Sequence, residues 1–335
     1  MLDSCRWISL VAGAGLLVAL VAGPVAPARA QESDANPAPR DFGGHLFLPS
    51  TVAPDPFIST TFTNATGFGK AVNLVIPIYN LAGEKIGETS SDIGFMGLEF
   101  GYRQAVSRRV ALRLAASGSG RLGTSVEAIV SEGLSAVYGY ELGAKVSLLR
   151  KSAWQLSAAA DLRGNTLYGV SPLGFVQAVV NHIAAGGDTT DALEAGQDSL
   201  LTKGTNKRLV GGVSAAYTPA PWIGFTGFLE LGLGEKFQKG SDNTSVTNFG
   251  ATASFDLNPL KRLPIGLLGA FRNESLSEKS DNIASQQTWS FGIFYTGRRF
   301  LSLGLETFWS RIGQARTDEK IDVARTQVAM RYDFN

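Results

Sequence analysis

Apolar and polar positions alternate with period two through most of this chain. Trp289, Phe291, Ile293 and Tyr295 alternate with Thr288, Ser290, Gly292 and Phe294, and Leu301, Leu303 and Leu305 alternate with Ser302, Gly304 and Glu306. Ile223, Phe225, Leu229, Leu231 and Leu233 share one parity, against Gly224, Thr226, Glu230, Gly232 and Gly234. Tyr138, Tyr140, Leu142, Ala144 and Val146 oppose Gly139, Glu141, Gly143 and Lys145. Successive side chains of a strand point to opposite faces, so each segment reads as a strand with one apolar and one polar face. Twelve such segments are predicted, near 71–80, 93–103, 109–119, 135–148, 154–168, 208–218, 223–236, 246–257, 264–274, 287–297, 300–311 and 322–334. Most are about as long as a tilted strand that crosses a bilayer.

The connections alternate in length. Ser107-Arg108, Arg150-Lys151, Pro219-Ala220-Pro221, Asn258 to Leu263 and Gly297-Arg298-Arg299 are tight, whereas those near 81–92, 120–134, 169–207, 237–245, 275–286 and 312–321 are longer and polar. Short turns at one end, long loops at the other and an even strand number are the rules of a bacterial outer-membrane barrel. The expected fold class is therefore all-β: a transmembrane antiparallel β-barrel of about 12 strands spanning 71–335, with a short helical insertion in the longest external loop. Aromatic residues at strand ends assign the apolar parity to lipid. On that parity Leu303→Arg is expected to be costly, and Gly304→Arg to be tolerated in a polar lumen with space.

The other end of the chain bears on compartment. Residues 1–30 carry an apolar run from Ile8 to Ala22 and close with Ala28-Arg29-Ala30, the layout of a secretory signal peptide cut before Gln31. The run is shorter than the roughly 20 residues of a spanning helix. The one cysteine, Cys5, falls within this leader, which excludes a disulfide framework or a thiolate metal site from the exported chain. A net charge of +1 gives no electrostatic footprint for nucleic acid.

The inward parity brings charge into the lumen. It carries Glu99, Arg103, Arg113, Glu141, Lys145, Asp161, Arg163, Glu230, Lys236, Asp256, Arg272, Glu274, Glu306, Arg325, Arg331 and Asp333, with the two signs in balance. Opposite charges on neighbouring strands can pair, and the balance argues against a strongly ion-selective pore. Phe228, Leu268, Phe294 and Phe308 also point inward and leave open a carrier for apolar molecules, resembling fatty-acid transporters.

Two segments have the length to fill the interior. Residues 31–70, with Gly43-Gly44, Pro49, Pro54 and Pro56, read as a periplasmic lead-in, a tether or an amino-terminal plug. In the 169–207 loop, Ser171-Pro172 is an N-cap followed by proline at the first helical position, and Gly186-Gly187 is a stop. Val176, Val179, Val180 and Ile183 make a helical stripe between them, a candidate gate helix that caps the mouth, constricts it or binds a partner. A second short helix is expected over 191–201.

Catalytic and cofactor chemistry finds no support. "GSGRLG" at Gly118 to Gly123 matches a dinucleotide fingerprint, with Glu141 near the acidic distance, but no βαβ unit surrounds it. His45 and His182 are too far apart in sequence for a metal cluster, and neither faces a strand serine as a hydrolase would need. No catalytic, cofactor or metal residues are expected.

The final residues, "TQVAMRYDFN", resemble the carboxy-terminal signature strand of bacterial outer-membrane β-barrel proteins: an aromatic residue, Phe334, with Tyr332, Met330 and Val328 at every second position before it. Asn335 after the phenylalanine departs from that pattern. The resemblance implies the bacterial outer membrane as location, and outer-membrane lipids and the barrel-assembly machinery as partners. The function expected is a channel or transporter for a small solute. The rival is a plugged structural barrel whose external loops bind a partner.

Overall fold

A computed structural model describes residues 40–79, 85–123, 134–151, 153–170, 172–234, 244–276, 285–313 and 320–334. The leader with its cleavage site, Ser171, Lys236 and Asn335 lie outside the described residues. A two-stranded hairpin, β1 (Asp41–Phe42) and β2 (His45–Leu46), precedes twelve long strands. These are β3 (Thr61–Tyr79), β4 (Lys85–Ala105), β5 (Val110–Gly123), β6 (Leu134–Arg150), β7 (Trp154–Val170), β8 (Leu201–Ala220), β9 (Ile223–Gly234), β10 (Thr244–Asp256), β11 (Ile265–Leu276), β12 (Ser285–Arg298), β13 (Leu301–Gly313) and β14 (Lys320–Asp333). Each pairs antiparallel with its sequence neighbours, and β14 closes the barrel on β3 from Asp322↔Val72 to Asp333↔Thr61. Closure leaves no unpaired strand edge, which a bilayer requires.

The two faces follow the alternation. Leu229, Leu231, Leu233, Leu303 and Leu305 lie on the outer surface and are well exposed, while Phe228, Glu230, Ser302 and Glu306 between them are buried. Aromatic pairs ring the outer face at both ends. Trp154 stacks on Tyr217 at 4.2 Å, and Tyr332 meets Phe334 at 4.9 Å, at the short-turn end. Phe271 meets Trp289 at 5.5 Å and Tyr138 meets Tyr168 at 6.1 Å toward the loop end. Such girdles sit at the two membrane interfaces of this class of barrel, whose short turns are periplasmic.

The first strand begins earlier than its pattern predicts, at Thr61 and not near 71. Residues 61–70 are therefore barrel wall, and the amino-terminal segment ends at Thr60. Its outward positions include Asn64, Thr66 and Lys70 beside Phe62 and Phe68, which blurs the apolar stripe. The β9 and β11 strands have 12 residues each, close to a membrane crossing, whereas β3, β4 and β8 have 19 to 21 and continue past it. Gly118 to Gly123 form the last part of β5, with no helix following the motif in the described residues.

The long loop holds two helices, α1 (Pro172–Ala184) and α2 (Thr189–Leu200), joined through Gly186 in the left-handed conformation (φ 82°). The stripe on α1 is covered in part by α2. Val176 and Ile183 are 53% and 47% exposed, and Val179 with Phe175 packs on the Cα of Gly196 in α2, where no side chain intervenes. The hairpin buries part of its apolar face in itself. One further short helix, α3 (Asn258–Lys261), forms the β10–β11 turn.

Candidate functional site

The barrel interior is divided into a filled base and an open cavity, and residues 40–60 make the division. Gly43 and Gly44 both have positive φ (61° and 81°), the backbone of a tight turn, which lets β1 and β2 form a hairpin at the short-turn end. Beyond it, Pro49, Pro54 and Pro56 have no N–H to give to a ladder, so this stretch runs as irregular chain inside the sheet and not as another strand. Its apolar residues dock on inward-facing wall residues. Phe42, Phe47 and Phe57 cluster with Ala216, Phe47 and Phe57 lying 4.9 Å apart. Leu48 packs with Leu268 and Phe294, and Val52 with Ala270 and Phe308. Of the inward apolar residues, Leu268 and Phe294 are thus covered by Leu48, whereas Phe308 packs on Val52 and also lines the cavity.

Polar groups pin the segment at four places. Arg40 is fully buried, with Nη1 donating to Ser302 Oγ at 2.6 Å, Nη2 to the Arg299 carbonyl at 2.9 Å, and Nε lying 2.7 Å from Asp333 Oδ2. Burial and the neighbouring Arg331 charge push its pKa down to about 10 against the pull of Asp333. The His45 ring is also buried, its Nδ1–H donating to the Pro221 carbonyl at 3.2 Å and its Nε2 accepting from Ser254 Oγ at 2.8 Å. Burial pushes the imidazole down to about 4, so it is neutral in place. Thr51 Oγ1 donates to Glu306 Oε2 at 2.9 Å and accepts from Gln327 Nε2 at 2.9 Å. Asp55 meets Arg103 Nη1 at 3.1 Å and also Arg331, while Lys145 donates to its backbone carbonyl. Burial alone would raise the Asp55 carboxyl, but Arg331, Arg103 and Lys145 hold it well below the usual carboxylate range.

Above this base lies a cavity of about 440 Å³, bounded below by Pro49 to Asp55. Its wall carries most of the charged residues read from the inward parity, and they are paired across strands or within one. Arg163 bonds Glu141 on β6 and Glu230 on β9, both at 2.8 Å, and Asp161 at 3.3 Å. Arg113 reaches Glu141 at 2.8 Å, Arg325 reaches Glu99 at 3.0 Å, and Arg272 reaches Glu274 at 2.7 Å. Asn248 Nδ2 adds a bond to Glu230 at 2.7 Å. A surface of closed ion pairs offers donors and acceptors side by side with little net charge.

Three of the expected lumen residues are placed differently. All three point inward as their parity requires, but Lys145 and Glu306 are buried against residues 51–55 away from the cavity, and Arg331, packed on Asp55 and Ser59, reaches only its lower edge. Arg331 also bonds Asp333 at 2.8 Å. The residues that sequence reading missed, Arg40, His45, Thr51 and Asp55, belong to the filling segment. Their signal was the apolar run Leu46-Phe47-Leu48 in a stretch without alternation, which has to be buried somewhere. Among the described residues no cluster of three or more His, Cys, Asp or Glu has metal-site geometry.

The closed barrel, its aromatic girdles and its polar interior define the class: a bacterial outer-membrane β-barrel. Solved structures of that class share the fold. An outer membrane channel from Pseudomonas putida F1 is similar at TM-score 0.52 with 10% identity, over 86% of this chain and 100% of that one. The transport unit of the autotransporter AIDA-I from Escherichia coli (TM-score 0.48, 11% identity, 87% and 95% covered) and NanC porin (0.44, 6%, 81% and 100%) are more distant likenesses. Neither a protein-family model nor a curated relative matches the sequence.

Proposed function

We propose that this protein is an outer-membrane channel for small polar solutes of low net charge, closed at its periplasmic end by its own residues 40–60. The observation that carries the reading is the cavity of about 440 Å³, walled by paired charges and floored by a segment that joins no barrel strand. A barrel serving only as a scaffold has no need of a hydrated interior above a separately docked segment. The outer-membrane channel from Pseudomonas putida F1 shares the fold and lends weight to transport over catalysis. Export through a cleaved signal peptide ending at Ala30, and insertion by the barrel-assembly machinery, complete the reading.

Proteoliposomes test it. Refolded protein should admit neutral sugars and zwitterions faster than protein-free vesicles, with little preference between potassium and chloride. No uptake of any small solute, with or without residues 31–58, would reject the channel. One observation favours the rival reading: the half-exposed Val176 and Ile183 suit a partner on the α1–α2 hairpin.

A further inference from the structure

Two guanidinium groups of the barrel wall, with a lysine beside them, converge on a residue whose carboxylate the wall does not supply. Arg331 of β14 and Arg103 of β4 both reach Asp55 Oδ2, and Lys145 of β6 donates to the carbonyl oxygen of the same residue. Higher in the lumen each arginine pair is completed by a wall acid, as with Arg325 and Glu99. Here the wall falls short. Among the described residues Arg103 has Asp55 as its one ion-pair partner, and Asp161, which acts on Lys145 at longer range, is bonded to Arg163. Arg331 keeps Asp333, but that carboxylate is shared with Arg40 of the docked segment. Asp55 itself sits between Pro54 and Pro56, in chain without ladder hydrogen bonds, and its Oδ1 is held from within the segment by the Phe57 N–H at 2.7 Å. Beside the Asp55 contacts, Arg103 donates to the Phe57 carbonyl at 3.1 Å and Arg331 to Ser59 Oγ at 3.3 Å, so the same cations hold the stretch on both sides of Asp55.

We propose that Arg331, Arg103 and Lys145 form a binding site for small carboxylates at the base of the lumen, and that Asp55 occupies it as the chain's own substitute ligand. A solute carboxylate entering from the cavity competes with Asp55 for the same donors, so its arrival weakens the docking of residues 49–60 and opens the path below. Two guanidinium groups and one ammonium give the fork-and-point donor set that a carboxylate accepts well. The covered base also holds Glu306 and Asp256, but these bond hydroxyls of Thr51, Ser290 and Thr296 and not the three cations. Passage of solute rests on the channel reading; the binding site does not.

Succinate is the probe, and binding to full-length refolded protein in detergent is the readout. D55N frees the site, and because an occupied site lowers apparent affinity by the fraction of time it is free, D55N should bind succinate about tenfold or more tighter than the unaltered protein. D55E, which restores a carboxylate, should return affinity toward the unaltered level, and D55N with R103Q should lose the gain. A second measurement leaves Asp55 in place: a cysteine replacing Ser50 should react faster with a water-soluble maleimide in succinate than in sodium chloride of equal ionic strength. Equal affinity of D55N and unaltered protein would overturn the site, and so would cysteine labelling that responds to chloride as strongly as to succinate. If D55N does not refold, the labelling result decides alone. Neither readout is conduction, so failure here leaves the channel proposal standing, and failure of solute uptake leaves this site.

Discussion

At Gly304 a single hydrogen atom marks the difference between a lumen that is polar and one that has room. The inward parity of that glycine invites a side chain, yet a Cβ there meets the Ile293 carbonyl and the Phe294 ring, which lies over it because Leu48 holds the ring down. Gly304→Arg is therefore expected to destabilise about as much as the lipid-facing Leu303→Arg, for which roughly 2–4 kcal/mol applies at mid-membrane. Denaturant unfolding of both variants in micelles checks this, and a Gly304→Arg barrel as stable as the parent would show the base to be empty. Parity was legible at such positions, but occupancy was not, because Phe294 and Leu48 are far apart in sequence and nothing local announces their contact. His45 supplies a prediction with a sign. Docked, its pKa is about 4, and free it is about 6.5, so docking is strongest above pH 6.5 and weakens as pH falls toward 4, by up to roughly 3 kcal/mol in all. Asp55 contributes nothing to that window, since its docked pKa is depressed and its share of docking is lost only below the free-carboxylate value near 3.9. Channel opening measured from pH 7.5 to 4 should rise more in the parent than in His45→Gln, and an equal rise in both would show that His45 does not carry the response.

At the scale of elements, each strand was legible wherever one face carried Leu, Trp, Tyr or Phe without interruption, as in β9, β12 and β13. The start of β3 was obscured because Asn64, Thr66 and Lys70 share the lipid-facing parity with Phe62 and Phe68. The α1 and α2 helices were legible from Pro172, Gly186 and the apolar spacing between them. Their role was not, since an amphipathic stripe says that burial is needed and not against what. Val179 packs on Gly196 and Val176 is exposed, so part of the stripe is spent within the hairpin itself. Deleting residues 172–199 and joining β7 to β8 by a short polar linker should leave folding and conductance unchanged. A several-fold rise in the conductance of the folded deletion variant would restore the helix to a gating role.

For the whole molecule, a barrel of twelve strands is wide enough to need filling, and this chain fills its periplasmic half with residues that precede the first strand. The docked segment brings Arg40 to Asp333 and Asp55 to Arg331, exchanging charges with a wall that is incomplete without it. It is held by side-chain contacts and side chain-to-carbonyl bonds and not by a strand ladder, which makes it separable from the barrel in a way that a thirteenth strand would not be. The most direct test is single-channel conductance in planar bilayers, comparing the refolded chain beginning at Gln31 with one beginning at Ser59. The expected result is brief, infrequent openings for the longer protein and steady conductance, several-fold larger in time average, for the shorter one. Equal conductance from two properly folded proteins would mean that residues 40–58 do not close the lumen.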